Sequence, residues 1–255
     1  MNLKIITAAH KPYRMPSDPV YIPVWVGAAK KVGNPPEGWL RDDVGENISE
    51  KNSSYCELTA LYWAWKNCTA EYVGLCHYRR YFAGRQIGEK WDRIADGAYL
   101  SAKLEKVPAL LPRKRNYYIE SNYSQYVHAH HAEDLDITRS ILSERCPEYL
   151  PAFDASMRRT SGHRFNMLVM RKDLLDGYCT WLFAVLGELE RRLDISAYSA
   201  YDKRVFGFVS ERLLDVWMET NAVPYKELPV INLENQHWGK KIAAFLKRKF
   251  CKKTA

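Results

Sequence analysis

The stretch from Ser54 to His77 constrains the fold more than any other. Ser54-Tyr-Cys-Glu57 has the S-x-x-E form of a capping box, which predicts a helix start. Leu58, Leu61, Tyr62 and Trp65 then recur at i, i+3, i+4 and i+7, the spacing of one buried helical face. That helix is expected to end near Asn67. Tyr72, Val73 and Leu75 follow after a short link, an apolar run that reads as a buried strand over 71–77. Leu3 to Ala8 reads as an earlier strand and Tyr21 to Val26 as a second. Strand, helix and strand in this rhythm predict an α/β sheet with parallel neighbours.

The remaining segments extend the pattern. Gly33 to Gly45 is rich in Gly, Pro and Asp and predicts a loop. Val107 to Leu111 predicts a short strand stopped by Pro112, and Phe165 to Met170 a buried one. Helices are expected over His131–Arg145, closed by Pro147, over Asp173–Leu193, and over Asp202–Glu219. No repeat, low-complexity stretch or long linker divides the chain. The expected organisation is one domain over 1–237 and a basic tail over 238–255.

Charge sharpens that division. The 255 residues carry a formal net charge of +8. Lys240, Lys241, Lys247, Arg248, Lys249, Lys252 and Lys253 lie in the tail with no acid among them, so removing these seven leaves +1 for the rest. A broad nucleic-acid footprint is therefore not supported. Trp238, Ile242, Phe245 and Leu246 fall at helical spacing among those cations. This predicts a basic amphipathic helix that docks on an anionic membrane surface or packs on the body with a solvated face. No apolar run reaches the length of a membrane span. Six scattered cysteines without a C-x-x-C pair, and an N-terminal segment unlike a signal peptide, predict a reducing cytoplasm.

Chemistry is expected where strands leave the sheet, because open α/β sheets bind ligands beyond the carboxyl ends of their strands. The strand over 71–77 runs directly into His77-Tyr-Arg79-Arg80. Two guanidinium groups there suit an anion with several oxygens, such as a diphosphate. Asn47, Ser49 and Asn52 precede the capped helix and are candidates for phosphate or sugar hydroxyls, with Glu57 assigned to capping. His128, His130 and His131, near Glu133 and Asp134, raise a metal site. Asp134-Leu-Asp136 has a D-x-D form, but in a helix residues i and i+2 point about 200° apart. One substrate-contacting His131 is the preferred reading. Asn166 and Arg204 complete the substrate-contact candidates.

Four segments, NISEKNSSYCELTALYWAWKN, YVGLCHYRRYF, FNMLVMRKDLLDGYCTWLF and RVFGFVSERLLDVWMETN, occur in that order. Together they resemble the bacterial capsular and exopolysaccharide glycosyltransferases first catalogued as a domain of unknown function. The resemblance runs from about Lys4 to Val230 and does not cover the tail. It implies a GT-A-like, Rossmann-type central sheet flanked by helices, a helical C-terminal portion and a nucleotide-sugar donor. Some relatives are implied to be inverting galactofuranosyltransferases that use UDP-galactofuranose. His10 and Lys11 are implied to lie near the nucleotide. GT-A enzymes usually carry D-x-D where this chain has His77-Tyr78-Arg79-Arg80. Fixed arginine charge is thus expected to replace the Mg²⁺ or Mn²⁺ that otherwise holds the leaving diphosphate, with no metal required. A weak likeness of His237-Trp-Gly-Lys240 to the tail of glycogenin-like transferases points the other way.

An inverting transfer also needs a base for the acceptor hydroxyl. Asp202, Glu211 and Asp134 are the candidates. The expected protein is a glycosyltransferase, peripheral at the inner face of the cell membrane, that extends a lipid-linked glycan acceptor in surface-polysaccharide synthesis. A metal-dependent hydrolase built on the histidine run and a non-catalytic membrane adaptor are the rivals.

Overall fold

The computed structural model of the chain describes residues 1–234. Eleven strands form in chain order: β1 Leu3–Ala9, β2 Tyr21–Trp25, β3 Leu40–Arg41, β4 Tyr72–His77, β5 Arg80–Phe82, β6 Ala109–Pro112, β7 Arg115–Asn116, β8 Ser161–Gly162, β9 Leu168–Arg171, β10 Lys226–Leu228 and β11 Val230–Asn232. The α-helices are α1 Asn52–Tyr55, α2 Leu58–Asn67, α3 Gly97–Leu104, α4 Asn122–Val127, α5 Ala132–Arg145, α6 Leu150–Arg158, α7 Lys172–Arg192 and α8 Val205–Thr220.

The main sheet runs β10-β6-β9-β4-β1-β2-β3, with β5 joining β4 to β11 at one end. Period-2 alternation places its core on both faces. Val73 and Leu75 of β4, with Ile6 and Ala8 of β1, pack into the cluster that holds Leu61, Leu182 and Leu213 of α2, α7 and α8. Tyr72 and Cys76 of β4, with Ile5 of β1, face a second cluster with Tyr81, Phe82 and Leu100. A sheet covered on both sides needs near-continuous apolar strands, which is what these segments supply.

The expected α/β class is therefore the observed one, with two departures. First, β9 runs antiparallel to both β4 and β6, while β1 is parallel to β2 and β4. Gly74 admits this close neighbour: a Cβ there would lie 2.9 Å from Val169 Cγ2 and 3.0 Å from the Leu168 carbonyl oxygen. Second, the capping box does not form. The helix starts earlier, as α1, and breaks at Cys56, whose φ of 53° is left-handed. Ser54 Oγ donates to the Lys51 carbonyl, and no side chain caps α2. The proposed tail helix and the His237–Lys240 motif lie outside the described residues.

Candidate active site

Strand register builds the site. Ala8 of β1 pairs with His77 of β4, so His10 and the residues after His77 emerge at one rim. A cleft of about 640 Å³ opens there. The chain turns sharply after His77: His77 and Arg80 pair antiparallel around Tyr78 and Arg79. Adjacent residues on a straight strand point to opposite faces. The hairpin brings both Arg79 and Arg80 onto the wall of the same cleft.

The two arginines differ in their ties. Arg79 Nη1 donates to Glu234 Oε2 at 2.8 Å, and its side chain is 38% exposed. Arg80 Nε donates to the neutral Asn232 Oδ1 at 3.2 Å, and its guanidinium lies 4.5 Å from the centre of the Phe165 ring. Burial, and then the Arg79 charge, hold the Arg80 pKa below its ordinary value, opposed by Glu211. The group remains cationic, because a guanidinium ordinarily titrates far above neutral pH.

Two carboxylates line the same cleft, Glu57 and Glu211. Glu57 Oε1 accepts from Asn166 Nδ2 at 2.7 Å and lies 3.7 Å from His77 Nε2. The same His77 nitrogen lies 2.6 Å from the Phe165 carbonyl oxygen and must donate to it. Burial lowers the His77 pKa, and the Arg80 charge adds to that, so the neutral ring is favoured at pH 7. Glu211 Oε1 accepts from the Phe165 amide at 3.1 Å. Phe165 and Asn166 hold φ values of 77° and 52°, consecutive left-handed residues that are not glycine. Such strain persists where surrounding bonds over-determine it. Here Ser210 Oγ donates to Asn166 Oδ1, and Asn166 Nδ2 also donates to the Gly207 carbonyl.

The far wall is aromatic and basic. His130 stacks on Phe208 at 4.2 Å, and Tyr201 lies over the same pair. Arg204 covers Phe208 and donates to Cys56 Sγ at 3.2 Å. Burial pushes the Cys56 thiol up to about 12, which leaves it a poor nucleophile at neutral pH. Beyond them stand Arg115, Tyr117, Gln125 and Arg212.

Of the residues expected from sequence, His10, Asn52, His77, Arg79, Arg80, Arg204 and Glu211 line this cleft. Lys11 sits behind, 5.9 Å from the Tyr78 ring. Several expectations are corrected. Asn47 closes a turn on Gly45 and Ser49, and Ser49 is fully buried against Asp42. Asn166 is buried and positions Glu57 rather than facing the cleft. Asp134 is 1% exposed and accepts from Tyr126 and Tyr198, so no acceptor hydroxyl reaches it. Asp202 is bound by Ser199 and by His130, which hold its carboxyl below the usual range and make it a weak base. His131 stacks on Tyr198, outside the cleft wall.

The histidine run also disperses. His128 pairs with Glu120, while His130 and His131 stack on different rings. Asp136 accepts from Tyr123, away from the tyrosines of Asp134. Among the described residues, no three His, Cys, Asp or Glu side chains are placed to chelate one ion.

Glu57 is hidden by its own capping pattern. Arg212 leaves a readable signal: it falls on the stripe Val205, Val209, Val216 of α8, an arginine where an apolar residue is expected.

The model of the family described as Domain of unknown function (DUF4422) matches residues 4–222. The apo structure of WbbM, a bifunctional glycosyltransferase, superposes with a TM-score of 0.85 at 32% identity, covering 92% of this chain and 46% of its own. The chain thus spans about half the length of that structure. Among curated proteins none matches. A match over this much of the sequence, with the same fold in WbbM, places the chain in the DUF4422 family.

Proposed function

We propose that the chain is a glycosyltransferase that moves a sugar from a nucleotide diphosphate donor to a glycan hydroxyl. The observation that carries this reading is the hairpin after β4. It sets Arg79 and Arg80 at the carboxyl end of the sheet, in one cleft with the carboxylate of Glu211. The likeness to WbbM supports the reaction class.

In this reading the guanidinium groups bind the diphosphate and offset the charge that grows as it departs. Glu211 takes the proton of the acceptor hydroxyl. The acceptor oxygen bonds to the anomeric carbon from the face opposite the leaving group. The bond from that carbon to the diphosphate oxygen breaks, and its electron pair leaves with the diphosphate. One displacement of this kind inverts the anomeric centre. Glu57, held by Asn166 and beside His77, orients the rim.

A GT-A-type divalent ion does not fit the residues at the usual place, because His77, Arg79 and Arg80 present cations and a donated N–H rather than anionic oxygens. No step is therefore routed through one. The donor is UDP-linked in this proposal, with UDP-galactofuranose and UDP-galactose as the sugars to test first. The acceptor is a lipid-linked glycan, met at an anionic membrane surface through the basic segment 238–255. No helix among the described residues is long and apolar enough to cross a membrane.

Calorimetric titration with UDP tests the reading. UDP is expected to bind the wild type equally with and without EDTA, and to bind Arg80→Ala poorly. Unchanged binding by Arg80→Ala, or binding lost in EDTA, would sink it.

A further inference from the structure

The cleft is lined by more arginines than carboxylates. Five arginines and two glutamates line it: Arg79, Arg80, Arg115, Arg204 and Arg212 against Glu57 and Glu211. Arg79 is already paired with Glu234.

The least satisfied of these arginines lies on the far wall. Arg212 is 5% exposed. Its Nη2 donates to Gln125 Oε1 at 2.6 Å, but its Nε and Nη1 have no hydrogen-bond partner among the described residues. The carboxylate beside it is Glu211, whose Oε2 lies 3.6 Å from Nη1, beyond hydrogen-bond length. Behind it, Arg164 is also buried and donates to neutral acceptors: the Tyr117 hydroxyl, Asn122 Oδ1 and the carbonyls of His163 and Glu211. In front, the exposed Arg115 lies 5.3 Å from the Tyr117 ring, on the rim of the same wall. Buried guanidinium groups without matched anions are rare, because desolvation is costly and one unpaired donor already destabilises.

Glu211 stands between the two cationic groups. Its Oε1 is fixed by the Phe165 amide, under the ring that carries Arg80, and its Oε2 faces Arg212. With the leaving diphosphate on Arg79 and Arg80, an acceptor hydroxyl arrives at Glu211 from the Arg212 side.

We infer that Arg115, Gln125 and Arg212 form a second anion subsite, which selects an acceptor bearing an acidic group, a carboxylate or a phosphate, near its reacting hydroxyl. Arg115 and the free amide nitrogen of Gln125 contact the acid, and the buried Arg212 supplies charge from behind. This inference rests on the donor reading given above.

The full chain, saturated with UDP, is titrated with methyl β-glucuronide, with glucose 1-phosphate and with neutral methyl β-glucoside. One acidic probe at least is expected to bind about tenfold or more tightly than the neutral one. Arg212→Gln and Arg115→Ala should each remove that preference, and Arg115→Ala should leave UDP affinity within about threefold. Arg115 is exposed, so its variant decides even if Arg212→Gln fails to fold. The preference of the two acidic probes tells carboxylate from phosphate. The inference is overturned if neither acid outbinds the glucoside, if an acid displaces UDP, or if Arg115→Ala keeps the preference. If UDP itself does not bind, the donor reading fails, and loss or retention of the acid preference in Arg115→Ala, measured without UDP, decides the subsite.

Discussion

Asp134 and Arg212 are both charged side chains buried beside Tyr126, yet their surroundings differ. Asp134 receives a hydroxyl on each oxygen, from Tyr126 and Tyr198, at 2.8 Å each. Arg212, whose guanidinium lies 5.4 Å from the Tyr126 ring, leaves two nitrogens without a partner among the described residues. The first group is closed: its hydrogen-bonding capacity is used by the fold. The second is open, and so is Glu211 beside it. Residue type alone makes Asp134 a candidate base; hydrogen-bond completion separates an acid used by the fold from one left free to act.

The largest expected effect breaks the open side. Glu211→Gln keeps an acceptor for the Phe165 amide but cannot take a proton. Sugar transfer should fall by roughly 10²- to 10⁴-fold, with UDP affinity nearly unchanged, as read by steady-state kinetics beside calorimetry. Next comes the diphosphate grip. Arg80→Ala should weaken UDP binding by about 10- to 100-fold, the scale of a hydrogen bond to a charged group. Arg79→Ala should cost less, since Arg79 is more exposed and already paired with Glu234.

The closed side should respond in stability instead. Asp134→Ala orphans two hydroxyls and should cost about 1–3 kcal/mol in chemical denaturation, with transfer per folded molecule unchanged. A loss of transfer without a loss of stability would reverse the contrast between the two groups. Acidity gives a smaller effect. The folded pKa of His77 lies below its ordinary value because of burial and Arg80. The stability tied to the neutral ring is complete above about pH 6.5 and is lost as the pH falls through the lowered value. Denaturation midpoints measured between about pH 7 and pH 5 should drop, and His77→Gln should flatten the drop in part. His10 and His130, whose pKa values burial also lowers, account for the remainder. Last, Asn47→Ala and His131→Ala should leave transfer within about twofold, as surface changes usually do.

Much of the scaffold is legible in the residues alone. The apolar runs over Leu3–Ala8 and 71–77, the end of α2 and the helical stripes of α7 and α8 appear within a residue or two of their expected limits, apart from a short 3-10 turn at Asp202–Arg204; the start of α2 does not, because the helix breaks at Cys56. Periodicity reports which face is buried and says nothing of strand direction, so it does not reveal the reversal of β9. Strands of two or three residues, such as β5, β7 and β11, are too short to show a period. The site is half legible. Charge leaving a strand marks Arg79 and Arg80. The contacts of Glu57 with Asn166, and of Arg212 with Gln125, join residues 109 and 87 positions apart, and local patterns do not encode such pairs.

The reversed strand has one more outcome. In an all-parallel sheet, segments that lead into strands gather at the opposite edge from those that leave them. Because β9 is turned over, the segment leading into it, Arg164 to Met167, arrives where β4 departs. Two loops that an ordinary crossover would hold a strand's length apart become neighbours. A change in either one then reshapes the same opening while the other still anchors it.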